Sequence, residues 1–126
     1  MTGTYALTVR ASIAAAHRLK EYGGNCERLH GHNWRVEVTV ESDELDARGI
    51  ALDFREIKTA LAEALSRFDH MYLNDVAPFD AMNPSSENLA RHIYEEMEKK
   101  VPPPVRVGRV TVWESEDARA EYFRRG

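Results

Sequence analysis

Trp34-Arg35-Val36-Glu37-Val38-Thr39-Val40-Glu41 has a period of two: the tryptophan and three valines alternate with polar and charged residues. That is the signature of a half-buried strand, apolar on one face and wet on the other. Upstream, Tyr5, Leu7, Val9, Ala11 and Ile13 alternate in the same way and predict a strand that pairs with it. Between the two, Glu21-Tyr22-Gly23-Gly24-Asn25 carries strong turn residues. Downstream the period changes. Phe54, Ile57, Leu61, Ala64, Leu65 and Phe68 fall on one face of a helix predicted over Asp53 to Phe68. Asp53 with Glu56 resembles a capping box at its start. A second helix starts near Ser85, a good N-cap, carries Leu89, Ile93 and Met97 on its apolar face, and ends before Pro102-Pro103-Pro104. Val110 and Val112 lie on a third strand that runs to Glu114, and Tyr122 and Phe123 suggest a short fourth. The order β-β-α-α-β-β predicts an α+β fold: a four-stranded antiparallel sheet with two helices on one face. The other face and the sheet edges then need cover, and oligomerisation is one solution.

The 126 residues fit a single domain, 1–126, without repeats or linkers. A composition of 43% hydrophobic and 30% charged residues is that of a globular protein, not a disordered one. No apolar run reaches the ~20 residues of a membrane span, and no signal peptide is expected. A net charge of −4 argues against a nucleic-acid partner, while leaving room for local positive charge around a small anion. One cysteine, Cys26, cannot close an internal disulfide, which suits a cytoplasmic setting.

The chemistry-bearing residues cluster around the strand entries. His30 and His32 flank Gly31, so strand parity sends both imidazoles to one side. If the first two strands pair antiparallel, His17 at the end of the first lies beside them. Three imidazoles with an open fourth position form the usual catalytic zinc shell. His92, mid-helix between Arg91 and Ile93, reads as a solvated residue. Cys26 could be a fourth ligand, an inert thiol or a thiolate activated by a nearby cation. Asp69-His70 closes the first helix, either as an oriented proton shuttle or as simple charge complementarity at a helix end. Glu114 shares the parity of Val110 and Val112. Either it points to the apolar side and needs a partner, or the strand ends at Trp113 and leaves it solvated. Glu87, in the first turn of the second helix, is accounted for by the helix dipole.

In series, these stretches resemble the 6-pyruvoyltetrahydropterin synthase family, and within it the bacterial 6-carboxytetrahydropterin synthases. The matching segments are Ala15-Ala16-His17-Arg18-Leu19, Cys26-Glu27-Arg28-Leu29-His30-Gly31-His32-Asn33, Leu52-Asp53-Phe54, Phe68-Asp69-His70 through Tyr72-Leu73-Asn74-Asp75, Asn83-Pro84-Ser85-Ser86-Glu87-Asn88-Leu89-Ala90, and Val112-Trp113-Glu114-Ser115. They cover nearly the whole chain in order. The resemblance implies the tunnelling fold, with subunits joined sheet to sheet in a hexamer built as a dimer of trimers. It implies Zn2+ on His17, His30 and His32, and Cys26 as general base in a relay with Asp69 and His70. Glu114 is implied as the anchor of the pterin edge, and Ser85, Ser86 and Glu87 as a second pterin-contacting stretch. The implied substrate is 7,8-dihydroneopterin triphosphate, and the implied product 6-carboxytetrahydropterin, on the way to queuosine. The short spacing from Cys26 to His30 resembles the bacterial branch. The 6-pyruvoyl enzyme and a non-catalytic zinc-binding protein of the same fold are the alternatives. Ile13 and Trp34 depart from the family's usual residues and bear on pocket shape.

Overall fold

The computed structural model describes residues 3–20 and 29–125. The turn expected at Glu21-Asn25 and the position of Cys26 lie outside the described residues. Strand β1 spans Tyr5–His17 and strand β2 His30–Ser42. They pair antiparallel along their whole length, from Tyr5 opposite Ser42 to His17 opposite His30. Both strands are longer than the alternation suggested, and they carry the histidines within them. The pattern simply continues: Ile13, Ala15 and His17 are buried on the face that also takes Trp34, Val36, Val38 and Val40.

Helix α1, Phe54–Leu65, is shorter than the predicted segment. Its apolar stripe of Ile57, Leu61, Ala64 and Leu65 is buried, whereas Phe54 is exposed at its start. Asp53 caps it by accepting the Arg55 N–H, and the carboxylate also pairs with the Arg55 guanidinium. Those bonds hold its pKa at about 2. The capping partner is therefore Arg55 rather than Glu56. Helix α2, Ser86–Glu98, starts where the sequence placed it, with the Ser85 hydroxyl accepting from Asn88 N–H. Its Leu89, Ile93 and Met97 are buried in the same core as α1.

Among the described residues the sheet has five strands rather than four. After α1 the chain forms β3, Met71–Tyr72, which pairs parallel with Ala15 and Ala16 of β1. A 3₁₀ turn, Leu73–Asp75, follows. Two residues are too few for periodicity to register, so β3 had no signal in the sequence. Strands β4, Arg106–Trp113, and β5, Arg119–Tyr122, complete the order β3-β1-β2-β4-β5. The face away from the helices is polar. There the Arg35 and Arg119 guanidiniums lie 4.5 and 5.0 Å from the Trp113 ring centre, and the Trp113 indole N–H donates to Glu37 at 2.7 Å.

His92 corrects the sequence reading. It is half-buried, its ring packed edge-on against Phe68 and Phe79 at 5.5 and 5.7 Å. Desolvation there pushes its pKa below the ordinary histidine range, with Glu96 opposing the shift. The reason is that α2 turns this position toward the segment after α1, which the helical wheel alone does not show.

Candidate metal centre at the strand ends

The hairpin of β1 and β2 places His17 opposite His30, and His32 two residues on along the same face. The three rings meet edge-on, with centroids 4.4 to 5.0 Å apart. Trp34, fully buried, is the floor beneath them. Its ring lies 4.7 Å from that of His17 and 5.2 Å from that of His32, and its indole N–H donates to the Ala15 carbonyl. Trp34 therefore shapes this site from below.

Glu114 joins the histidines from the end of β4. Its Oε1 is 3.2 Å from His32 Nε2 and 4.0 Å from His17 Nε2, and its Oε2 accepts from Ser86 Oγ at 3.1 Å. The strand does end at Trp113, yet Glu114 keeps the parity of Val110 and Val112 and turns into the cluster. One donor atom from each of His17, His30, His32 and Glu114 lies within 4.8 Å of the others.

The donor set fits a tetrahedral cation. His17, 1% exposed, has its Nδ1 2.8 Å from the Pro84 carbonyl. A carbonyl only accepts, so Nδ1 carries the proton and Nε2 presents a lone pair. That Nε2 lies 3.2 Å from His30 Nε2. Ligand nitrogens at ~2.0–2.1 Å from a tetrahedral zinc stand about 3.3 Å apart. The His17–His30 pair comes close to that spacing.

Asp69 and His70 are not part of this cluster. They dock on the outer edge of β1, where Asp69 Oδ1 accepts the Ala14 N–H at 2.9 Å and the His70 N–H donates to the Ala14 carbonyl at 2.6 Å. Asp69 Oδ1 lies 3.1 Å from His70 Nδ1, which orients the ring. His70 sits in the left-handed region at φ 61°, a conformation that costs a non-glycine residue about 1–2 kcal/mol. Its imidazole is exposed. Ser85 spends its hydroxyl on the cap of α2, Ser86 spends its own on Glu114, and Glu87 is exposed in the first helical turn. Pro84 contributes a backbone carbonyl, which carries no side-chain signal in the sequence.

Residues 6–125 match the family described as 6-pyruvoyl tetrahydropterin synthase. The chain belongs to that family. Within it, the chain is 36% identical over 117 residues to a 6-carboxy-5,6,7,8-tetrahydropterin synthase of Synechocystis, covering 89% of this chain and 88% of that protein. It is 34% identical over 108 residues to a dihydroneopterin monophosphate aldolase of Pyrococcus furiosus, covering 86% of this chain and 88% of that protein. The structure of a Caenorhabditis elegans 6-pyruvoyl tetrahydropterin synthase superposes with a TM-score of 0.85 at 27% identity, over 98% of each chain. The tunnelling fold expected from the sequence is the fold of the family's solved members. Among the described residues no helix is long and apolar enough to cross a membrane.

Proposed function

We propose that this member of the family is a zinc-dependent 6-carboxy-5,6,7,8-tetrahydropterin synthase. It converts 7,8-dihydroneopterin triphosphate and water to 6-carboxytetrahydropterin, acetaldehyde and triphosphate, a step toward queuosine. The observation that carries the reading is the convergence of His17, His30, His32 and Glu114 at one point. The name of the Synechocystis relative and the short Cys26–His30 spacing favour the carboxy product.

His17, His30 and His32 would hold the zinc. Bound there, it supplies Lewis-acid polarisation of a substrate oxygen. Glu114 offers a carboxylate edge, the partner of a cyclic amidine such as a pterin, with Ser86 fixing its second oxygen. Ser85 and Glu87 at the start of α2 border the same region and belong to the pterin-contacting stretch. Cys26 takes the proton from the side-chain carbon, and Asp69 holds His70 in place to return it. The test is turnover. Protein stripped of metal should lose activity and regain it with zinc, and full activity in the stripped protein would overturn the reading.

Asp69 and His70 sit at the edge of β1, outside the four-residue cluster. We place the complete relay between neighbouring subunits of a homohexamer, a dimer of trimers. Cys26→Ala and His70→Ala, each inactive alone, should recover part of their activity when mixed and allowed to exchange subunits. No recovery after demonstrated exchange would put the whole relay in one chain.

The Pyrococcus relative supports a second reading, carbon–carbon cleavage of the pterin side chain without loss of acetaldehyde. Product analysis separates the two.

A further inference from the structure

Beyond His17, where β1 ends, no strand among the described residues lies on the β3 side, because the chain leaves β3 for the 3₁₀ turn. The backbone polar groups beyond His17 still need partners. Two asparagine side chains supply them. Asn74 Oδ1 accepts the Arg18 N–H at 2.9 Å, and Asn74 Nδ2 donates to the Arg18 carbonyl at 2.8 Å. Asn83 does the same for Lys20, accepting its N–H at 2.8 Å and donating to its carbonyl at 3.0 Å. A carboxamide has one acceptor and donors in the geometry of a peptide unit, so each side chain stands in for a rung of the sheet. Asn74 keeps the register of the strand it replaces: β3 pairs Ala16 with Tyr72, and Arg18 meets Asn74 two residues further along both segments.

These rungs lock the neighbourhood of His17. Arg18 follows His17 directly. Asn83 precedes Pro84, whose carbonyl takes the His17 Nδ1 proton. Asn83 is itself held by the first turn of α2, where Asn88 Nδ2 donates to the Asn83 carbonyl at 2.9 Å. A closed circuit results, from His17 along the chain to Lys20, across to Asn83, and back through Pro84 to the imidazole.

We infer that Asn74 and Asn83 are positioning residues: their side-chain amides extend the sheet by two rungs and thereby fix the orientation of the His17 imidazole toward the metal. The inference rests on His17 being a ligand, as proposed above. Neither asparagine touches the other cluster residues in the bonds described. They act through the backbone on either side of His17 and through Pro84.

The experiment compares Asn74→Ala, Asn83→Ala and Met97→Ala with the unaltered protein. Met97 is fully buried at the other end of α2 and serves as a control for lost stability alone. Zinc affinity is read by chelator competition, ligand geometry by the visible spectrum of the Co2+-substituted protein, and stability by thermal melting. Loss of an outer-shell partner of a metal ligand typically costs about 10–100-fold in metal affinity. Each asparagine variant is expected to lose zinc affinity within that range and to shift the cobalt bands. Met97→Ala should melt earlier with its zinc affinity and cobalt spectrum unchanged. If Asn83→Ala does not fold, Asn83→Asp retains the acceptor and removes the donor, and should show the same losses. Asparagine variants that bind zinc like the unaltered protein would overturn the inference, as would a Met97→Ala protein that loses zinc in the same proportion. If the unaltered protein binds no zinc, the metal reading itself fails and the inference falls with it, an outcome seen before any variant is compared.

Discussion

His30→Ala is expected to reduce zinc affinity by more than 100-fold and to abolish turnover at ordinary metal concentrations, while the chain still folds. The affinity follows from the geometry. His30 supplies one of three imidazole nitrogens and stands 3.2 Å from His17 Nε2, so its removal leaves two of the three ligands. Even an outer-shell change costs about 10–100-fold, and a ligand should cost more. Folding should survive because His30 is only half-buried at the end of β2, outside the apolar core. Elemental analysis of untagged protein and a melting curve read the two parts separately. Full zinc occupancy in the variant would contradict the ligand assignment.

Trp34→Ala should destabilise the protein by about 3–5 kcal/mol, the usual range for deleting a buried tryptophan. Trp34 has no exposed surface, belongs to the buried core, and gives its indole N–H to the Ala15 carbonyl. A loss of that size is a large part of the 5–15 kcal/mol that holds a typical domain together. The site should suffer as well, because the rings of His17 and His32 rest edge-on against the indole. Trp34→Phe keeps most of the packing and loses one hydrogen bond, worth about 1 kcal/mol. Chemical denaturation of the three proteins gives the order. A Trp34→Ala midpoint equal to that of the unaltered protein would show that this ring is not the floor of the site.

Much of this architecture is legible in the residues. The alternation around Val36 and Val38 fixes β2 and its buried face, and parity sends His30 and His32 to one side of the sheet. An antiparallel hairpin then needs no further information to bring His17 to them. For Glu114 parity left two outcomes, and the contacts with His32 and Ser86 decide between them. What could not be read depends on backbone and on distant packing. The two residues of β3 are too short for a period, and the Pro84 carbonyl has no side-chain signature. His92 looked solvated because its neighbours on α2 are charged, whereas the Phe68 and Phe79 rings that bury it come from another segment. Asn74 and Asn83 stood in the motifs that carry the family resemblance, but only the structure shows them completing the ladder of β1. Phe54 fits the helical stripe of α1, yet it stands at the first residue of the helix, beyond the reach of the core.

The proposed metal-assisted reaction removes both triphosphate and a two-carbon aldehyde from the pterin side chain. Incubating zinc-loaded protein with 7,8-dihydroneopterin triphosphate and identifying every product decides it. One acetaldehyde and one triphosphate are expected for each 6-carboxytetrahydropterin formed. Triphosphate without acetaldehyde, or a two-carbon hydroxyaldehyde that still carries its phosphate, would contradict it.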